Sequence, residues 1–241
     1  MYFAEGGVFH SMQLAITYTP NSAWGGSKPA HKARQLPKTM AKLEAGEDLN
    51  VVLLGDSISV GANATGFVGV APDSKNWYEM TLDTLTNKYG SKTTFTNLSV
   101  GGMDSAWGVT QAATAAAKAP DLMIIGFGMN DGSGAVPVAT YQSNIQKIMD
   151  TVKASNPDVE FILISTMLSN PDWTAAHYQP LYLPALNSLE GTGCAVADIT
   201  TPHTYMLTRK RYVDMTANHV NHPNDFVVRL YAQVMIELFK Y

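Results

Sequence analysis

Val51-Val52-Leu53-Leu54-Gly55-Asp56-Ser57-Ile58-Ser59 holds four consecutive apolar residues, a glycine, and then an acid and two hydroxyls. A short apolar run with no polar alternation is a strand buried on both faces, the kind found in a parallel sheet covered by helices on each side. The pattern repeats along the chain. Thr93 to Val100 reads as a second strand closing in Gly101-Gly102, Leu122 to Phe127 as a third, Phe161 to Thr166 as a fourth and Cys194 to Ile199 as a fifth. Between them lie helix-like stretches at Trp77 to Tyr89, Gln111 to Ala119 (stopped by Pro120), Tyr141 to Ala154 and Leu181 to Glu190. In the last helix Phe226, Val227, Leu230, Tyr231, Val234 and Leu238 recur at three- and four-residue steps, and Pro223 is expected at its first position with His222 beside the N-cap. Parallel strands need such crossovers to return, so the expected fold class is α/β, a five-stranded parallel sheet in a three-layer sandwich. Ligands of such sheets bind beyond the carboxyl ends of the strands.

The chain has 241 residues, 46% apolar and 15% charged, enough to bury a core. Residues 1–36 lack helical periodicity and read as a strand and loop extension, with Val8 to Tyr18 its extended piece; residues 37–241 form the main domain. A formal net charge of −4 without a basic stripe argues against a nucleic-acid partner. No apolar run reaches the ~20 residues of a membrane span, so no membrane partner is expected. Cys194 is the only cysteine, which excludes an intramolecular disulfide and a cysteine zinc site. The lone cysteine and the lack of an export-like N-terminus favour the cytoplasm, although removal of a signal would leave the same sequence.

Chemistry-bearing residues fall at the strand ends. Ser57 emerges where the first strand stops, but without a Gly-x-Ser-x-Gly elbow, which argues against the standard α/β-hydrolase. Asn97-Leu98-Ser99-Val100-Gly101-Gly102 brings a backbone N–H unobstructed by a side chain, and Gly128-Met129-Asn130-Asp131 brings a side-chain amide. Asn221-His222-Pro223-Asn224-Asp225 brings an imidazole. A hydroxyl, a base and preformed donors are the requirements of acyl transfer.

From Val51 to the last helix these four blocks resemble the SGNH (GDSL-type) hydrolases, in order and at the expected places in the strand and helix series. The resemblance implies a flavodoxin-like sheet, Ser57 as nucleophile, His222 as general base, and an oxyanion hole made of the backbone N–H groups of Ser57 and Gly102 and the amide of Asn130. It implies an ester hydrolase without cofactor or metal, acting on a small-molecule or oligosaccharide ester. The Asn-His-Pro-Asn-Asp ending and the N-terminal attachment look like members that deacetylate carbohydrates such as xylan, and no long apolar lid is present to shelter a fatty chain. A lipolytic or general short-chain carboxylesterase or thioesterase is the rival within the family, and a non-catalytic carbohydrate-binding module the rival of another class. A nucleotide-binding reading lacks a Gly-rich phosphate loop after the first strand. Oligomeric state is not legible.

One position departs from the family pattern. The aspartate usual three residues before the base is replaced by His219. Asp214 could serve as the acid only if its loop folds back; otherwise a Ser–His dyad is expected, its ring oriented by a carbonyl or by an amide such as Asn218. His219 and His222 lack the carboxylate or cysteine neighbours of a metal site. Asp56 and Asp131 are expected to fix turns through their own backbone, and Asp225 to favour the last helix's N-terminus. His10, His31, His177 and His203 are expected at the surface or at caps. Trp107 and Trp173 are candidates to line the substrate pocket.

Overall fold

The computed structural model describes residues 21, 23–173 and 176–240; the extended piece expected at Val8 to Tyr18, and His10 within it, lie outside these. The apolar runs form five strands, β1 (Leu49–Gly55), β2 (Thr93–Asn97), β3 (Leu122–Gly126), β4 (Glu160–Ser165) and β5 (Cys194–Asp198), all parallel in the order β2-β1-β3-β4-β5. The helices are α1 (Pro37–Glu44), α2 (Ser57–Val60), α3 (Thr65–Val68), α4 (Trp77–Tyr89), α5 (Ser105–Ala116), α6 (Met129–Ser133), α7 (Val138–Ser155), α8 (Gln179–Asn187), α9 (Thr200–Leu207) and α10 (Asp225–Leu238).

β1, β3, β4 and β5 each divide their side chains between two cores, whereas the edge strand β2 sends only Phe95 against the first of them. Val51 and Leu53 of β1, Ile124 of β3 and Ile162 of β4 pack with Met40, Trp77, Leu85, Val227 and Tyr231 from α1, α4 and α10. Val52, Leu54, Ile125 and Leu163 pack with Ala112, Ala115, Tyr141, Ile148 and Tyr182 from α5, α7 and α8. This two-sided burial explains the unbroken apolar runs. It is the expected three-layer α/β sandwich.

Several boundaries differ from expectation, and three bear on the site. β2 ends at Asn97, because Leu98 to Gly102 leave the sheet as a loop. α5 begins at Ser105, capped by the side chain of Asp104 on Trp107 N–H at 2.9 Å. α10 begins at Asp225, with Asn224 as its N-cap; Pro223 lies outside it, bridged to Thr216, so the expected Pro223 start is two residues early. Residues 32–36 run along the β5 edge, where Lys32 N–H donates to Leu238 and Gly193 N–H to Gln35 at 2.7 Å, and Ala33 and Leu36 enter the core. No described helix is long and apolar enough to cross a membrane.

β1 lies between β2 and β3, so the chain leaves it toward one side after β1 and crosses back over it after β2. The carboxyl end of β1 is therefore the switch point at which such sheets bind ligands.

Candidate active site

Three of the four motif blocks end at that switch point. β1 and β3 approach so closely there that a Cβ on Gly55 would lie 2.4 Å from the Gly126 carbonyl and 2.4 Å from Ser59 Oγ; only glycine fits. Asp56 then caps α2, its Oδ1 accepting Ile58 N–H at 2.9 Å, which makes Ser57 the first residue of the helix. Burial pushes the Asp56 carboxyl up to about 7, against the lowering effect of the Ile58 N–H and with a raising contribution from Asp131.

The loop after β2 lies over Ser57. Val100 N–H donates to Gly55 at 3.1 Å, Asn97 Nδ2 donates to Ser59 carbonyl at 2.9 Å, and a Cβ on Gly101 would sit 3.7 Å from Ser57 Cβ. Gly102 follows at φ +79°, a left-handed conformation that glycine adopts without strain. Neither Ser57 N–H nor Gly102 N–H has a hydrogen-bond partner among the described residues. Asn130, second residue of α6, donates from Nδ2 to the carbonyl of Met103 at 2.8 Å. That bond fixes the amide beside Gly102 and leaves the second N–H of Nδ2 to spare.

His222 arrives on a loop built around Asn218, whose Oδ1 accepts the N–H groups of Val220, Asn221 and His222, each at 3.0 Å. The His222 carbonyl accepts from Thr216 Oγ1 at 2.6 Å and from Ala217 N–H at 3.0 Å. The ring's Nε2 lies 2.9 Å from Ser57 Oγ. Burial pushes the imidazole down to about 4, with no charged neighbour countering it.

Nδ1 meets neither Asp214 nor Asn218. It is in hydrogen-bond contact with Oδ1 of Asn63, a buried residue in the turn between α2 and α3. The Asp214 carboxylate binds Arg211 at 2.9 Å on the surface, which holds it below the usual carboxylate range, so it is not the partner of the ring. Asn218 organises the backbone of the loop and not the ring. His219, at the family's acid position, adopts φ +63° and gives its carbonyl to Asn170 Nδ2 at 2.6 Å. Asn63 left little trace in the sequence. Its signal was a single polar side chain among Gly61, Ala62 and Ala64 in a residue type that tolerates positive φ, here +67°.

Among the remaining candidates, Asp225 stands in the first turn of α10 and Trp173 in the loop after β4, as expected. Asp131 accepts from Ser105 N–H at 3.0 Å and from the Ser105 hydroxyl, so it ties α6 to α5 and does not close its own turn. Asp225 accepts Thr65 N–H at 2.9 Å and Thr65 Oγ1 at 2.7 Å, a bond between helices. His203 is fully buried, not superficial. Trp107 packs edge-on against Phe127, 6.3 Å between centroids, on the core beneath the site. Trp173 is exposed in the loop after β4, and its N–H donates to the carbonyl of Asn170, which also pairs with the His222 loop. Among the described residues, no three His, Cys, Asp or Glu side chains cluster for a metal.

A hydroxyl within reach of a neutral imidazole, beside two unpartnered backbone N–H groups and a fixed amide, is an acyl-transfer arrangement. The model of the GDSL-like lipase/acylhydrolase family matches residues 53–227, from inside β1 into α10. The chain belongs to this family. By sequence, no curated protein matches it. Among solved structures, this GDSL-like chain is similar to a two-domain esterase active on acetylated mannans (23% identity, TM-score 0.67), over 87% of this chain and 53% of that one. The chain thus spans about half the length of that esterase. It is also similar to a variant of an acetyl-xylooligosaccharide esterase from Geobacillus (15%, TM-score 0.66, 82% and 97% covered) and to a lipase from a goat rumen metagenome (14%, TM-score 0.59, 79% and 95%). These likenesses carry the fold.

Proposed function

We propose that this chain is a serine esterase that removes small acyl groups, acetyl above all, from a carbohydrate such as xylan. The observation that carries the reading is the 2.9 Å contact of His222 Nε2 with Ser57 Oγ beside the unpartnered N–H groups of Ser57 and Gly102. Ser57 Oγ attacks the ester carbonyl carbon as its proton passes to His222 Nε2. The carbonyl oxygen becomes an oxyanion held by Ser57 N–H, Gly102 N–H and the amide of Asn130. Collapse breaks the bond to the sugar oxygen, which leaves with the proton from His222. Water, deprotonated in turn by His222, attacks the acyl-enzyme, and Ser57 regains its proton as the carboxylic acid departs.

The carbohydrate preference has two supports. Exposed Trp173 and Tyr178 stand on the loop after β4, where aromatic faces can stack on a sugar ring. Two of the similar structures are esterases whose names carry acetylated mannans and an acetyl-xylooligosaccharide. A lipolytic enzyme would carry the same machinery with a different pocket.

The test is hydrolysis of nitrophenyl acetate against octanoate, alongside acetate release from acetylated xylan and mannan. Acetate release with octanoate turnover at least tenfold lower supports the reading; efficient octanoate turnover with inert polysaccharide assigns the lipolytic alternative. Ser57→Ala and His222→Ala are each expected to lower kcat roughly a thousandfold or more, and the double variant little further, because the two act as one unit. Turnover that survives Ser57→Ala rejects the serine mechanism; a wild-type chain that binds acetylated xylan without turning it over is a binding module.

A further inference from the structure

We propose that Asn63 is the positioning residue of a Ser57–His222–Asn63 relay, in which an amide oxygen takes the place of the carboxylate usual in such sites. The inference rests on the serine esterase reading above and assigns the ring's partner within it. Three observations carry it. Oδ1 of Asn63 contacts Nδ1 of His222 while Nε2 of the same ring faces Ser57 Oγ, so the three side chains form one line. Asn63 is buried, and its turn is tied to the nucleophile, because the N–H groups of Gly61 and Ala62 both donate to the Ser57 carbonyl, at 3.1 and 3.0 Å. The carboxylates nearby in the fold are committed elsewhere: Asp56 to the N–H of Ile58, Asp131 to Ser105, Asp225 to Thr65 and Asp214 to Arg211.

The amide's orientation decides the chemistry. With Oδ1 toward the ring, Nδ1 must carry the proton and Nε2 presents the lone pair that receives the Ser57 proton. With Nδ2 toward the ring, Nε2 would be protonated and could not act as base. Only the first orientation makes a general base of His222. An amide supplies the hydrogen bond but no charge, so the imidazolium formed during turnover has no carboxylate to stabilise it. His219 stands three residues before the ring on the same loop, and the ring's low proton affinity follows from burial alone.

Two substitutions suit the backbone at φ +67°. Asn63→Gly removes the side chain without strain, and Asn63→Asp keeps an acceptor and adds charge. On nitrophenyl acetate between pH 3.5 and 9, Asn63→Gly is expected to lower kcat about a hundredfold with KM nearly unchanged, less than the roughly ten-thousandfold cost of losing a charged orienting carboxylate, because the amide supplies orientation but no charge. Asn63→Asp is expected to retain turnover and to move the acid limb of kcat upward by about one unit or more, because a carboxylate favours the protonated ring. Nitrogen NMR of His222 should report an Nδ1–H tautomer in the wild type and in Asn63→Asp, and a mixture in Asn63→Gly. A folded Asn63→Gly with kcat within threefold of wild type overturns the assignment. If that variant does not fold, an unmoved acid limb in Asn63→Asp overturns it. A dead Ser57→Ala with an intact Asn63→Gly would reject this assignment alone; a live Ser57→Ala would reject the esterase reading beneath it.

Discussion

In the proposed mechanism His222 would act in its buried setting as a weak base, and that weakness would have a use. With the ring held down to about 4, it is neutral throughout the range in which an unperturbed imidazole would titrate. The reactive form is the neutral one, so kcat/KM is expected to be flat as pH falls through 6.5 and to drop only as it falls through about 4. An acid limb centred near 6.5 in the wild-type profile would mean that the ring is hydrated in the working enzyme. Asn130 permits a sharper test of the oxyanion site. Because Met103 already fixes its amide, Asn130→Ala removes one donor from the carbonyl's surroundings and is expected to cost on the order of a hundredfold in kcat at little change in KM. An effect under threefold removes the amide from the site. Ser57, Gly102, Asn130 and His222 stood out in the sequence because they lie in four ordered blocks that resemble the family's motifs, and the structure gathers those blocks at one rim. Asn63 did not, since its part depends on a positive φ and on a contact 159 residues away along the chain.

Helices and loops explain how that contact is held. Asn63 lies two residues before Thr65, the first residue of α3, and His222 three before Asp225, the first of α10. The Asp225 carboxylate accepts both the N–H and the hydroxyl of Thr65, so the helix starts are clamped together just beyond the Asn63–His222 pair. Asp225→Ala is expected to cost about 2 kcal/mol in urea unfolding, since bonds to a charged acceptor contribute roughly 1.5–3 kcal/mol, and to lower kcat through the displaced ring. Combined with Thr65→Ala, the loss should fall short of the sum of the singles; strict additivity would mean that the two helices are held by other contacts. The same long-range logic explains an element that the pattern did not reveal. α1 has no capping side chain of its own, and its first free N–H groups, on Lys38 and Thr39, are taken by the buried carboxylate of Glu160 on β4, at 3.0 and 2.7 Å. A helix capped from 121 residues away lacks a local capping side chain, and only Pro37 at its first position marks its start in the sequence. β1, β3, β4 and β5 were legible for the opposite reason: burial on both faces writes itself into consecutive residues.

At the scale of the whole molecule, burial leaves His203, His222 and Asp56 with proton affinities far from their values in the unfolded chain at acid to neutral pH, and they pull stability in opposite directions with pH. His203, on the buried face of α9, accepts Leu168 N–H on Nδ1 at 3.3 Å, faces the Tyr212 ring edge-on and has no partner for Nε2 among the described residues; burial holds it down to about 4. Between its unfolded value of 6.5 and about 4, the unfolded chain binds a proton that the folded chain does not, so stability falls as pH drops through that window. His222 acts in the same direction. Asp56, raised from 3.8 to about 7, acts in the other: its contribution is fully present below 3.8 and is lost as pH rises through about 7. The opposed slopes make the net profile a poor test of any one group, whereas a substitution separates them. His203→Leu removes the acceptor of Leu168 N–H and is expected to cost about 1–3 kcal/mol at pH 7, with no proton left to take up on unfolding. Wild type should then lose about 3 kcal/mol more than the variant between pH 6.5 and 4. Urea midpoints at pH 7, 5.5 and 4 are thus expected to converge and to meet or cross at the lowest pH. Two parallel curves would mean that His203 takes up its proton without leaving the core.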